Sequence, residues 1–357
     1  MPEGHSVHRL ARQFNDVFGA TTLLVSSPQG KFSAGAALLD GHRLERAQAH
    51  GKQMFLYFSQ DRIMRVHLGL YGAWDFGGDS TFTGASSIGA PRRVGEREVS
   101  AGLAGDGGDG GSDYNGPPEP KGAVRVRLVS DHGWADLRGP TACEVLTPVE
   151  VSAVLAKLGP DPLNDPFKDE HGDEDEFVRR IRSSASNIAV LLMKQEIIAG
   201  VGNVYRAEVL FRLGIDPRMS GKSLQEEEIR SLWREIRALM KDGVRDGRII
   251  TTELIDRPSG TGVAPHSASN PVPRKYDAGA QGAASNLAYQ PTGDGLNGDG
   301  LNRGGLQPNK EVPREDAHYV YKRNGLPCRH CETAVAMAEL AARKLYWCPQ
   351  CQGSPQP

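Results

Sequence analysis

The chain has 357 residues, enough for two or three domains with at least one sizeable core. Apolar residues make up 38%, below the usual globular share, and 43 Gly with 23 Pro point to stretches that build no core. The formal net charge of −2 excludes a uniformly basic protein, and no run reaches the ~18 continuous apolar residues of a membrane-crossing helix.

In chain order, Leu10, Phe14, Val17 and Phe18 give His8–Phe18 the spacing of a short amphipathic helix. Thr22–Ser26, Met54–Phe58 and Arg62–His67 read as strands, the second as a buried one because it is continuously apolar and aromatic. Residues 77–121 are dominated by Gly, Ser, Asp and Pro and are expected to be a disordered insertion. Val124, Val126 and Leu128 alternate with Arg125 and Arg127, a half-buried strand, and Gly133–Leu137 is expected to be another. A β-rich first domain, 1–148, is therefore expected.

Residues 149–255 read as helical. Helices are expected at Val151–Leu158, stopped by Gly159-Pro160, and at Phe177–Ile181. A third would run from an Asn187 cap to Met193, a fourth over Val204–Leu213 and a fifth over Leu224–Met240. Asp161–Glu176 holds eight acids and one lysine and reads as a solvated loop. Residues 256–312 are again low in complexity and read as a mobile linker.

The strongest local signal is Cys328-x2-Cys331, sixteen residues, then Cys348-x2-Cys351. Four thiolates so paired can close a tetrahedron around one structural zinc, which supplies folding energy to a segment too short for a core. Tyr319–Tyr321 and Lys344–Trp347 are expected to be strands of a ribbon over 313–351. Cys143 stands apart and reads as a small buried thiol. The N-terminus lacks the order of a secretory signal, and paired cysteines fit a reducing compartment, so the expectation is a soluble, cytoplasmic chain without a membrane partner.

Two further patterns carry chemistry. Removal of Met1 would leave Pro2 with a secondary amine that titrates near pH 8, a nucleophile suited to attack at a sugar carbon and to imine formation. Glu3 beside it can move protons. Gly200-Val201-Gly202-Asn203 forms a tight turn between helices, where glycine lets backbone amides approach a phosphate and Asn203 can donate to it. Between Phe177 and Arg218 there are seven Lys or Arg against three acids, so the near-neutral total hides an uneven distribution.

Pro-Glu-Gly at the start, Gly-Val-Gly-Asn-Val-Tyr in a helical turn and a terminal four-cysteine ribbon, in that order, resemble the formamidopyrimidine-DNA glycosylase and endonuclease VIII family. The resemblance covers residues 1–76, 123–255 and 313–351. It implies an α+β multidomain fold: an N-terminal β-sandwich with an N-terminal helix, a helix–two-turn–helix domain and a C-terminal zinc β-ribbon.

It further implies a monomeric enzyme of base excision repair on damaged DNA, a glycosylase with abasic-site lyase activity, nucleoid-associated in a bacterium. Pro2 would be the nucleophile, Glu3 its assistant, and Lys52 of His50-Gly51-Lys52-Gln53-Met54 a lesion contact. Asn203 and Arg343 would grip flanking phosphates. His67-Leu68-Gly69-Leu70-Tyr71-Gly72 resembles the loop that enters the duplex, with His67 at its base and Leu70 and Tyr71 as the wedge.

Pro-Glu-Gly and Leu-Tyr are closer to the endonuclease VIII branch, hence oxidised pyrimidines. The purine branch's Arg-Arg-Phe-Gly is replaced by Asp136-Leu137-Arg138-Gly139, leaving Arg138 to fill the gap opposite the orphaned base. The alternatives are an inactive damage sensor or scaffold, and a zinc-ribbon module fused to an unrelated β-domain.

Overall fold

A computed structural model describes residues 2–90, 116–164, 173–257 and 312–353. The central part of the expected insertion and most of the expected linker lie outside the described residues.

The first helix, α1 (Gly4–Phe18), buries Val7, Leu10, Ala11, Phe14 and Phe18 at helical spacing. It begins four residues earlier than periodicity predicts, because polar His5 and Ser6 are also buried. Among the described residues, nine strands follow: β1 (Thr21–Ser26), β2 (His42–His50), β3 (Gln53–Phe58), β4 (Arg62–His67), β5 (Ala73–Gly78), β6 (Ser87–Gly89), β7 (Val124–Val129), β8 (Gly133–Arg138) and β9 (Ala142–Leu146). Their order is β6-β5-β8-β7-β1-β2-β3-β4-β9, with every pair antiparallel.

β1 belongs to both halves. Thr21–Leu23 pair with β2, and Leu24–Ser26 pair with β7. The halves share one core, in which Leu56 and Met64 meet Trp74, Leu128 and Leu137 under Phe14 of α1. This is the expected sandwich. β3 is apolar from Met54 onward because its other face is covered too: Phe55 of β3 and Ile63 of β4 pack against Val151 of α3 (Pro148–Leu155). α3 starts in a capping box, Thr147 with Glu150.

One expectation for this domain is corrected. Residues 77–90 are not disordered: Gly77 and Gly78 complete the β5–β8 ladder, and Ile88 and Ala85 are buried in the sandwich. A short helix, α2 (Ser33–Leu39), and strands β2, β5, β6 and β9 were not foreseen; none has a clear local periodicity, and tertiary pairing rather than local preference forms them.

The helical domain holds α4 (Asp173–Arg182), α5 (Ile188–Leu191), α6 (Asn203–Arg212) and α7 (Glu226–Asp246). Leu191, Ile198, Val209, Leu232 and Ile236 share its core. Asn187 sits at the start of α5 but makes no side-chain cap, and α5 is only four residues long. The acidic run is not uniformly solvated, since Asp161 is buried.

In the terminal ribbon, β10 (Ala336–Leu340) pairs with β11 (Arg343–Trp347). Tyr319–Tyr321 is not a strand, contrary to expectation. Its three backbone amides instead point at Glu208 of α6, with N–H···O distances of 2.7–2.9 Å. Glu208 is fully buried and also accepts from the Thr251 hydroxyl, so one carboxylate docks the ribbon onto the helical domain. Glu208→Gln places a donor among donors, and thermal unfolding should register a loss on the order of 3 kcal/mol. A shift below measurement would refute this docking role.

Candidate active site

The N-terminal segment is docked on the turn between α5 and α6. Gly4 N–H donates to Gly200 O at 2.9 Å. Glu3 is fully buried, and its Oε2 and Oε1 accept the amides of Gly202 (2.8 Å) and Val204 (2.9 Å). The glycines permit this. A Cβ on Gly202 would lie 2.5 Å from the Glu3 carboxyl carbon, and Gly200 has φ +93°.

The anion received by this helix start is therefore Glu3, and these two amides are not open to a phosphate as the sequence reading has it. Burial pushes the Glu3 carboxyl above its usual range, opposed by the Lys52 ammonium and the two amides.

Lys52 lies in the turn between β2 and β3 and reaches the same backbone, its Nζ donating to Val201 O at 2.7 Å. Burial lowers its pKa, Glu3 opposes that shift, and Arg343 adds to it. Gln195 was not foreseen. Its Nε2 shares Val201 O at 3.0 Å, and its Oε1 accepts Gly200 N–H at 3.1 Å, so one side chain fixes the turn that both Glu3 and Lys52 use. Pro2, which precedes Glu3 in the chain, is buried.

Asn203 is directed at the ribbon, its Nδ2 donating to Lys344 O at 2.9 Å. Arg206, also unforeseen, is fully buried; it donates to Asn203 Oδ1 and, at 2.9 Å, to Lys344 O. Burial brings its pKa down to about 10. Two charged residues inside an otherwise apolar α6, Arg206 and Glu208, were the available signal, because a helix buried all round keeps charges only where they have partners. Arg343 is exposed at the start of β11. Lys52, Arg206 and Arg343 thus gather positive charge around the buried Glu3.

The loop after β4 is held from behind. Thr141 N–H donates to His67 O, Gly72 N–H donates to Leu68 O, and a Cβ on Gly69 would strike Thr141 Oγ1. Its tip projects outward: Leu70 is 45% and Tyr71 77% exposed, so neither is a core residue. Burial lowers the pKa of His67, helped by Lys52 and Arg65. Arg138 is engaged inside the sheet, its Nε 2.7 Å from Asp75 Oδ2. Filling a gap in DNA would require breaking that pair.

The four sulfurs of Cys328, Cys331, Cys348 and Cys351 lie within 4.8 Å of one another, with Cys328–Cys351, Cys331–Cys348 and Cys331–Cys351 at 3.4 to 3.8 Å. Zn–S bonds of about 2.3 Å in a tetrahedron need roughly 3.8 Å between sulfurs, so the residues fit the ion. Cys143 is half-buried against the sandwich core, and burial raises its thiol to about 12, which keeps it protonated and inert.

Comparisons with known proteins agree with this layout. The formamidopyrimidine-DNA glycosylase N-terminal domain matches residues 1–134, and the formamidopyrimidine-DNA glycosylase H2TH domain matches 158–254. The zinc finger found in FPG and IleRS matches 325–353. With the cysteine quartet, that match assigns one structural zinc.

Endonuclease 8 1 of Mycobacterium tuberculosis is 36% identical over 352 residues, covering 99% of this chain and 100% of that protein. The formamidopyrimidine-DNA glycosylase of Thermus thermophilus is 31% identical over 200 residues, 56% of this chain and 55% of the relative. In fold, the chain resembles the crystal structure of the MutM (Fpg) protein from Thermus thermophilus, with TM-score 0.60 and 23% identity over 99% of this chain and 100% of that one. It also resembles a Lactococcus lactis Fpg complex with abasic-site DNA, with TM-score 0.60 and 16% identity over the same shares.

Proposed function

The chain belongs to the formamidopyrimidine-DNA glycosylase and endonuclease VIII family of DNA repair glycosylases, and from that premise we propose that it excises oxidised bases, pyrimidines foremost, and then cleaves the strand through an imine on Pro2. The observation that carries this reading is that Glu3, the residue after the buried Pro2, and Lys52 both engage the Gly200–Asn203 turn.

The damaged nucleotide leaves the stack, and Leu70 and Tyr71 occupy its place. Their exposure on a loop held from behind supports that role. The Pro2 nitrogen, freed of Met1, forms a bond to C1′ as the bond from C1′ to the base breaks, and the base departs with a proton. The sugar ring opens and leaves an iminium between Pro2 and C1′. That cation acidifies the C2′ proton; its removal pushes the electron pair toward C3′ and expels the 3′ phosphate. A second elimination expels the 5′ phosphate.

Glu3, whose carboxyl holds its proton further up the pH scale than usual, handles the sugar protons. Lys52 and Arg343 place positive charge beside the developing anions. Zinc takes no part in the chemistry and holds the ribbon that carries Arg343.

The lesion class is tested with duplexes carrying thymine glycol, 5-hydroxyuracil or 8-oxoguanine under single-turnover conditions. Excision of the two pyrimidines should exceed that of the purine by about tenfold or more, a difference of ~1.4 kcal/mol in barrier. Leu70→Ala with Tyr71→Ala should slow excision from duplex by about tenfold and from single strands by less. Faster excision of 8-oxoguanine would reverse the branch assignment.

A further inference from the structure

A buried cluster behind the site is not used by this mechanism. Asp161 lies between α3 and α4 and is 1% exposed. Its Oδ2 accepts two hydrogen bonds, from His8 Nε2 at 2.7 Å and from the Gly51 amide at 2.6 Å, and its Oδ1 accepts the Leu163 amide at 2.9 Å. His8 belongs to α1, the helix whose first residues follow Pro2 and Glu3. Gly51 immediately precedes Lys52.

Around this carboxylate the segment is tied down on both sides. Gly159 N–H donates to Gln195 O at 2.8 Å, and Ala199 N–H donates to Pro160 O at 2.9 Å. His50 Nε2 lies 2.9 Å from Gly159 O, so that nitrogen carries the proton, since a carbonyl only accepts. Nδ1 of a neutral His50 can then accept from Asn164 Nδ2, 3.4 Å away. Gly51 has φ +57°, and a Cβ there would lie 2.7 Å from Ala199 Cβ and 2.8 Å from Gly200 N. The Lys52 turn is therefore pressed against the backbone leading into the Gly200–Asn203 turn, and Asp161 fixes it from the other side.

A carboxylate wholly out of water is a poor source of net stability. What this one supplies is direction, with donors from three chain segments aimed at two oxygens. We propose that Asp161 is a positioning residue for the reaction assigned above: with His8, it locks the helix carrying Pro2 and Glu3 and the turn carrying Lys52 into one register. The inference rests on that reading for its catalytic consequence, and its geometric content stands on the hydrogen bonds alone.

The test uses the full zinc-loaded chain. Asp161→Asn keeps one accepting oxygen and sets an NH2 group against the donors on the other side, which weakens the lock with little change in volume. The rate of borohydride-trappable adduct formation on abasic-site DNA, per folded molecule, should fall by about ten- to a hundredfold, the usual cost of misplacing reacting groups by an ångström, with DNA affinity within about threefold. His8→Ala should move the same way, and His8→Gln, which can still donate to Asp161, should recover most of the rate.

Without DNA, exchange of the Gly51 amide should quicken by about tenfold or more in Asp161→Asn, while the β10–β11 amides keep their wild-type rates. An unchanged rate per folded molecule with Gly51 still protected would overturn the proposal. So would uniformly faster exchange with rate loss matching the loss of folded protein, the pattern of a merely structural residue. A wild-type protein that forms no adduct would sink the assigned reaction instead, and the exchange measurement would still decide whether Asp161 holds the turn.

Discussion

Glu3→Gln should abolish base excision while sparing the imine. Glu3 is fully buried and receives two amides at the start of α6. Glutamine keeps one accepting oxygen and turns an NH2 group against the other amide. The variant therefore loses a proton carrier and gains a donor–donor contact. Loss of a positioned acid–base group slows the chemical step by roughly 10²–10⁴-fold, and excision from thymine-glycol duplex should fall within that range.

On a preformed abasic site no base has to leave, and the Pro2 amine is untouched by the substitution. Borohydride-trapped adduct should there stay within about tenfold of wild type. Thermal unfolding should also show a loss of about 1–3 kcal/mol for the amide left without its acceptor. Excision within threefold of wild type would remove Glu3 from the mechanism.

Zinc removal should have the second large effect, and it should act on binding. The ribbon's apolar residues, Tyr319, Val320, Val335 and Tyr346, pack around the cysteines and Phe211 of α6, so without the ion little core remains to hold β10 and β11. Lys344 O, the shared partner of Asn203 and Arg206, would move with β11, as would Arg343. Apo protein, or Cys348→Ser, should lose about a hundredfold or more in affinity for abasic-site DNA, ~2.7 kcal/mol.

The sandwich has a separate core, and its near-ultraviolet signal from Trp74 should persist. The Gly51 amide beside Lys52, held by Asp161, should stay protected from exchange. Unaltered DNA affinity in zinc-free protein would contradict the role given to the ribbon.

Much of the fold was legible because it is written in periodicity. Leu10, Phe14 and Phe18 mark α1, the span of β4 is read without error, and the cysteine spacing marks the ribbon. Elements formed by tertiary pairing were not legible. Ser33–Leu39 has no amphipathic length, β6 is three residues long, and Tyr319–Tyr321 looks like a strand until Glu208 takes its amides.

The site divides the same way. Pro2, Glu3 and Lys52 stand in recognisable local motifs, whereas Gln195, Arg206 and Asp161 become functional candidates only through contacts across long stretches of chain. Asp161 was hidden by the acids that follow it, since composition cannot tell a buried carboxylate in a charge run from an exposed one. The sequence reading assigned the Gly200–Asn203 turn to a phosphate, whereas its amides hold the protein's own Glu3.

The central claim is the covalent bond from Pro2 to the sugar. It is tested most directly by borohydride reduction of protein with a verified free Pro2 and bound zinc, mixed with abasic-site or thymine-glycol DNA, followed by mass mapping of the adduct. The account predicts a reduced protein–DNA adduct at the Pro2 nitrogen, absent when Met1 is retained and diminished in Pro2→Gly. No adduct, or one mapped to Lys52, would contradict it and favour a damage sensor or a lysine nucleophile.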